Sequence, residues 1–164
     1  MLDPLKNAAV YFLDWNLERI GRCLETLREE QIWARPNGHS NSIGNQVLHL
    51  EGNIRQWAVH GLGGANDVRQ RDAEFAATGG VSKAELLARL SAVIAAAKST
   101  VLALTEAQLR EERKIQAYVH DGVFILLHVV EHLSYHTGQI VFWTKALQDR
   151  DLGFYAGVAL DTTN

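Results

Sequence analysis

A single cysteine, Cys23, stands in 164 residues, so no internal disulfide can form. Its neighbours Ile20, Leu24 and Leu27 mark it as a small core residue rather than a nucleophile. Lys and Arg do not cluster. A formal net charge of −3 and a pI near 6.1 leave no electrostatic footprint for a polyphosphate, which argues against a nucleic-acid partner. Long apolar runs are missing too: the longest, Val123 to Val130, is broken by His128 and falls well short of the roughly 20 residues a membrane crossing needs. The chain does not open on a charged leader followed by an apolar block, because Asp3, Pro4 and Lys6 lead straight into an amphipathic pattern. The expectation is a cytoplasmic protein that keeps away from membranes. There are only two prolines, Pro4 and Pro36, and each falls at the edge of a helical pattern.

What remains is 47% hydrophobic and the size of one domain, long enough to bury a substantial core. Asp3 before Pro4 is an N-cap acceptor with proline at the first helical position, and Leu5, Ala9, Phe12, Asn16, Ile20, Leu24 and Leu27 recur with helical period, predicting helix one over 4–29. Arg35-Pro36-Asn37-Gly38 breaks the pattern. Ser40, Asn41 or Ser42 then caps a second helix over 42–61, carried by Ile43, Val47, Leu50, Ile54 and Trp57. From Leu62 to Gly80 no period holds, and so long a connection points to function or mobility. Ser82 and Glu85 form a capping box for helix three over 82–104, and Thr105 with Gln108 repeats the signal before a short helical turn. A short extended piece is predicted between Arg113 and His120. Asp121 caps helix four over 122–147, apolar nearly all round at its start and therefore enclosed by the others. Four helices with little strand signal predict an all-α antiparallel four-helix bundle in one domain, 1–164, with the tail from Asp149 unassigned.

Chemistry concentrates on helix four, where His128, His132 and His136 stand four residues apart. Side chains four apart lie one turn above each other and can converge on one ion, whereas the outer two lie about 12 Å apart, so only one adjacent pair can share a metal. Imidazole suits zinc, nickel, iron and copper, and a site in a bundle needs a third ligand from elsewhere. His39, His49, His60 and His120 are the candidates. His49 falls roughly 120° from the centre of helix two's apolar stripe, with Asn53 one turn on, so periodicity leaves the third ligand open. A satisfied core histidine is the plainer reading for any one of these residues, but consecutive buried imidazoles would each need a partner, and apart from Glu131 few are at hand.

Named metal motifs fit poorly. A zincin needs Glu directly after the first histidine, where Leu133 stands, and a di-iron bundle needs Glu three before a ligating His, where Val129, Leu133 and Gln46 stand. His128-Val129-Val130-Glu131-His132 matches the inverted metalloprotease pattern, but five residues with two wildcards carry little weight without a strand-edged cleft. Glu131, about 100° around the helix from His132, suits a histidine N–H or an arginine better than a general base.

The runs Asn41 to Leu50, Arg71-Asp72-Ala73-Glu74-Phe75 and His128 to Ile140 together resemble the DinB/YfiT-like superfamily of four-helix metal-binding proteins, over about residues 4–147. The resemblance implies that the ligands fall on His49, His132 and His136, leaving His128 one turn outside. It implies an open site of three neutral imidazoles for divalent nickel, zinc, iron or manganese. Some relatives use a low-molecular-weight thiol in transferase or isomerase chemistry. On that analogy a small electrophilic molecule reacts with a thiol or water between helices two and four, Gln139 orients substrate or water, Arg71 and Asp72 close over the pocket, and no residue other than the ligands has a catalytic role. Related proteins pair through bundle faces, and Trp15, Trp33, Trp57 and Trp143 offer more aromatic surface than a small core hides, so a homodimer is expected.

Overall fold

The computed structural model describes residues 2–162; positions 1, 163 and 164, which the predicted domain and tail include, lie outside the described residues. Four long helices make the bundle: α1 (Leu2–Thr26), α3 (Ile43–Ile54), α5 (Lys83–Ala103) and α7 (Gly122–Gln148). Short helices α2 (Glu29–Trp33), α4 (Arg71–Ala76) and α6 (Glu106–Arg110) lie between them, with a hairpin of β1 (Glu112–Ile115) and β2 (Tyr118–Asp121). The strands pair antiparallel, Glu112 opposite Asp121 and Ile115 opposite Tyr118.

Side-chain caps set the helix starts where the sequence signals them. Ser42 Oγ accepts from the Asn45 N–H, Ser82 from Glu85, Thr105 from Gln108 and Asp121 from Phe124, each satisfying a donor that the first turn leaves free. Helix one differs from its predicted span. It begins at Leu2, stops at Thr26, and restarts at Glu29 after Arg28 turns to an extended conformation, where the Gln31 side chain accepts the Arg28 N–H. Helix two also departs from plan: α3 continues as a π-helix over Arg55–Leu62, a wider winding that turns both Gln56 and Trp57 inward. The long connection without period contains α4.

Pair contacts give the bundle its order. α1 packs on α5 and α7, and α3 packs on the same two, so α1 and α3 sit on one diagonal. Lys6 donates to Leu102 O and Lys98 reaches Asp14, so α1 and α5 run antiparallel; Gln46 and His49 face His136 and His132, so α3 and α7 do as well. Glu51 pairs with Arg89 while Gly63 lies against Thr100 further along both helices, so α3 and α5 run parallel. Parallel neighbours oblige the chain to travel back along roughly 30 Å of helix before α5 can start. Residues 63–82 make that return against α3 itself. As a result every residue from Ile43 to Leu50 is buried, by α5, by α7 and by the returning chain. The core between the helices is aliphatic: Leu13, Ile20, Leu24, Ile43, Leu50, Ile54, Leu86, Leu90, Ile94, Ile125, Val129 and Leu133 are all but inaccessible. Among the described residues only α5 is long and apolar enough to cross a membrane by composition, and its stripe Leu86, Leu90, Val93, Ile94, Ala97 and Val101 is packed into this core.

Asn45 fastens the return path. Its Oδ1 accepts from the Ser42 N–H and hydroxyl and from Arg35, while its Nδ2 donates to Glu74 O at 3.0 Å and Ala77 O at 2.7 Å. Replacing it strands buried donors and acceptors at both ends. Asn45→Ala is expected to cost about 1–3 kcal/mol in urea denaturation and to speed amide exchange across α4 before it affects α5; an unchanged midpoint would contradict this role.

Candidate metal centre

Three imidazoles from two antiparallel helices meet where α3 faces α7. His49, His132 and His136 each present a ring nitrogen, and these atoms lie within 4.8 Å of one another. His49 Nε2 and His132 Nε2 are 3.2 Å apart. Two nitrogens bound at the usual 2.0–2.1 Å to one ion are separated by about 2.8–3.4 Å across octahedral and tetrahedral arrangements, so this pair is already spaced for a shared cation. Of the four candidates for the third position only His49 joins the pair. His39 is exposed beside Pro36 and Ser40, His60 bonds to Ala65 O, and His120 stacks on Phe124 with ring centroids 3.6 Å apart.

The returning chain fixes the His49 ring. Glu74 on α4 stands 3.1 Å from His49 Nδ1, and Arg69 grips the same carboxylate with two bonds of 2.8 Å. Burial alone would raise the Glu74 carboxyl; the hydrogen bonds from Arg69 and His49 outweigh it and hold the group below its ordinary value. An ionised carboxylate only accepts, so Nδ1 donates to it and Nε2 keeps its lone pair. Arg69 Nη2, also 3.1 Å from Nδ1, therefore spends its proton on Glu74. This carboxylate–histidine arrangement is the one that orients metal-binding imidazoles. Gly52 makes room for it, since a Cβ there would land on the Glu74 carboxylate. Behind Arg69, Gln56 accepts from Nη1 at 2.9 Å and donates to Asp67 at 2.7 Å.

On α7, His136 Nδ1 lies 3.4 Å from Gln46 Oε1, which leaves Nε2 as its lone-pair nitrogen. His132 Nδ1 finds no partner. Burial, with the neighbouring His136 and His49, pushes His132 down to about 3; burial and His49 push His136 down to about 4 against an opposing bond from Gln139. The two α7 rings are thus neutral imidazoles near neutral pH, and the three-histidine group can hold a metal ion.

The other sequence-derived site residues scatter more widely. His128 lies one turn outside, its ring 4.1 Å from Trp57 and its Nε2 unpartnered. Asn53 and Arg71 line the same hollow as His49, His128 and His132. Gln139 belongs to a separate hollow behind His136, with Gln46, Phe142 and Trp143. Glu131 is not near the three histidines: it is exposed and faces Phe12 across α1. Asp72 is exposed. The residues that reach His49 from the connection are Arg69 and Glu74, not Arg71 and Asp72. Glu74 sits within the Arg71–Phe75 run, but nothing in a connection without period tells which of its charges turns inward.

The four-helix bundle that carries this histidine group is also the fold of solved DinB-like proteins. The chain belongs to the family described as DUF1572, protein of unknown function, whose profile matches residues 7–156. Solved structures share the fold at low identity. A conserved protein from Enterococcus faecalis superposes with a TM-score of 0.75 at 16% identity, over 88% of this chain and 97% of that one. The DinB-like YjoA of Bacillus subtilis gives 0.69 at 18%, over 90% and 96%, and a DinB-like protein of Bacillus cereus gives 0.65 at 13%, over 82% and 87%. No curated protein matches the chain in sequence.

His132 and His136 titrate below the 6.5 of a free imidazole, so the unfolded chain takes up protons that the fold refuses. Stability from their neutral forms is complete above about pH 6.5 and drains away as pH falls toward 4. Urea midpoints of metal-free protein are therefore expected to drop steadily between pH 7 and 4.5, and His132→Leu to flatten that slope. A pH-independent midpoint in wild type would refute the burial of neutral rings.

Proposed function

We propose that the chain binds one divalent metal ion, nickel, zinc, iron or manganese, through His49, His132 and His136, and uses it as a transferase with a low-molecular-weight thiol or as a hydrolase on a small electrophilic molecule. The 3.2 Å approach of two Nε2 atoms, one of them with its other nitrogen committed to Glu74, is the observation that carries the reading. Three imidazole donors leave coordination positions open, which distinguishes a working site from a closed structural one. When bound, the ion supplies Lewis acidity toward a thiol or water.

The chain's own residues do the rest. Glu74 holds the His49 ring in place and strengthens it as a donor, and Arg69 keeps Glu74 ionised. Gln46 holds the proton of His136 on Nδ1. Phe75 and Trp57 close off water, Phe75 against the His49 ring and Trp57 against His128. No serine, cysteine or lysine lines the hollow as a nucleophile, so the residues offer positioning and proton placement rather than covalent chemistry. A non-enzymatic metal-binding role in stress response uses the same donors and lacks only turnover.

The homodimer is part of the same proposal, on different grounds from those the sequence offered. None of the four tryptophans is exposed. Tyr11, Phe12, Leu127 and Tyr135 are, along the α1 and α7 face, and a second copy would cover them. A reducing cytoplasmic setting suits the free, buried Cys23.

Elemental analysis of tag-free protein is expected to find one divalent ion per chain, lost in His49→Ala, His132→Ala and His136→Ala. Glu74→Gln should weaken affinity by about 10–100-fold while the fold, judged by circular dichroism, persists. Wild type that takes up no stoichiometric ion after reconstitution would end the proposal; turnover of thiol and electrophile panels, abolished in the histidine variants, separates the enzyme from the metal-binding protein.

A further inference from the structure

The hollow beside the three histidines has a chemistry of its own. It encloses about 300 Å³, at the small end of ligand pockets. One wall is flat rings. Trp57 lies 4.1 Å from His128 and 6.3 Å from Tyr118, and Tyr118, His120 and Phe124 continue the surface as a stack. The hairpin brings Tyr118 there: its turn passes through Gln116 in the left-handed region, φ 56°, and Gln116 donates to Gln56 at 2.7 Å, tying the turn to the π-helix. Arg69 and Arg71 face the hollow from the other side, and no carboxylate lines it. Glu74 neutralises Arg69. Arg71 makes no ion pair among the described residues; its guanidinium rests 4.8 Å over Phe75, whose ring packs on His49. Asn53, 5% exposed, lines the hollow with its Oδ1 unpartnered. A buried acceptor without a donor is costly and is satisfied by whatever fills the space beside it.

We propose that this hollow binds a flat, aryl-type small molecule that carries a carboxylate and a hydrogen-bond donor. The ring body lies along Trp57, Tyr118 and Phe124, the carboxylate meets Arg71, and the donor satisfies Asn53. Arginine offers a planar fork matched to a carboxylate and is already stacked and pre-ordered on Phe75, so little freedom is lost on binding. A cationic ligand would meet Arg71, whose charge no carboxylate lining the hollow offsets. The proposal deepens the metal reading by naming a substrate class for the same site, but the binding step does not depend on the ion.

Hydroxynaphthoate, its methyl ester and unsubstituted naphthoate serve as probes, titrated by calorimetry into both metal-free and metal-loaded protein. The acid is expected to bind saturably to metal-free protein, with the ester about tenfold weaker. Arg71→Gln, an exposed position that leaves melting temperature unchanged, should bring acid and ester to equal affinity, and Trp57→Leu should weaken both. Asn53→Leu should erase the advantage of hydroxynaphthoate over naphthoate and leave naphthoate itself unaffected. Equal affinity of acid and ester for wild type, or an acid preference that survives Arg71→Gln, overturns the proposal. Should the metal reading alone fail, elemental analysis finds no ion and the acid still binds; should this one alone fail, the ion binds and no probe shows a charge preference.

Discussion

The parallel pairing of α3 and α5 is the constraint from which the site follows. Two parallel neighbours cannot be joined by a tight turn, so the chain spends residues 63–82 travelling back along α3. That return brings Glu74 and Arg69 against His49, seals the third face of α3, and leaves the hollow between the connection, the hairpin and α7. In a bundle with only short loops His49 would face α7 with no carboxylate behind it. The bundle places the three rings, and the detour decides which nitrogen of His49 is free.

Charge at the centre is arranged against a proton on the two α7 rings. The imidazoles are buried beside one another, so protonating one raises the cost of protonating the next, and His132, in the middle, is pushed furthest. Arg69 grips the Glu74 carboxylate with two bonds and holds it ionised, so that it accepts from His49 and orients the ring. The burial of Arg69 at 3% side-chain exposure keeps solvent from screening the pair.

Much of this fold is legible in the sequence because its helices announce themselves by caps. Ser42, Ser82, Thr105 and Asp121 each accept the bond that their spacing predicts, and the hairpin falls where β-branched and aromatic residues alternate. Leu27 hides the break after α1 because it continues the apolar period across it. His49 could not be oriented from periodicity for a specific reason: a stripe analysis assumes that one side of the helix meets water, and α3 is buried all round. Only the resemblance singled it out. Arg69 and Glu74 were missed because a connection carries no period to say which charge turns inward, and Glu131 was overvalued because it neighbours His132 in sequence while pointing toward α1. The π-helical winding after Ile54 had no signal at all, although it is what turns Gln56 and Trp57 together toward the site.

The π-helix also explains why the two halves of the site differ in character. Within the winding after Ile54 two adjacent inward residues have separate tasks: Gln56 joins the polar chain from Asp67 through Arg69 to Glu74, and Trp57 forms the aromatic wall against His128 and Tyr118. A π winding, closed by i→i+5 hydrogen bonds, is rare and is found mostly at functional sites. Here it splits the surroundings of the histidines into a polar side that sets proton positions and a flat apolar side facing open space. A metal that merely stapled the bundle would need only the first of these. The aromatic side, with Arg71 in no ion pair among the described residues, has no task in holding an ion, and it is the part of the structure that favours a site built to admit a second molecule.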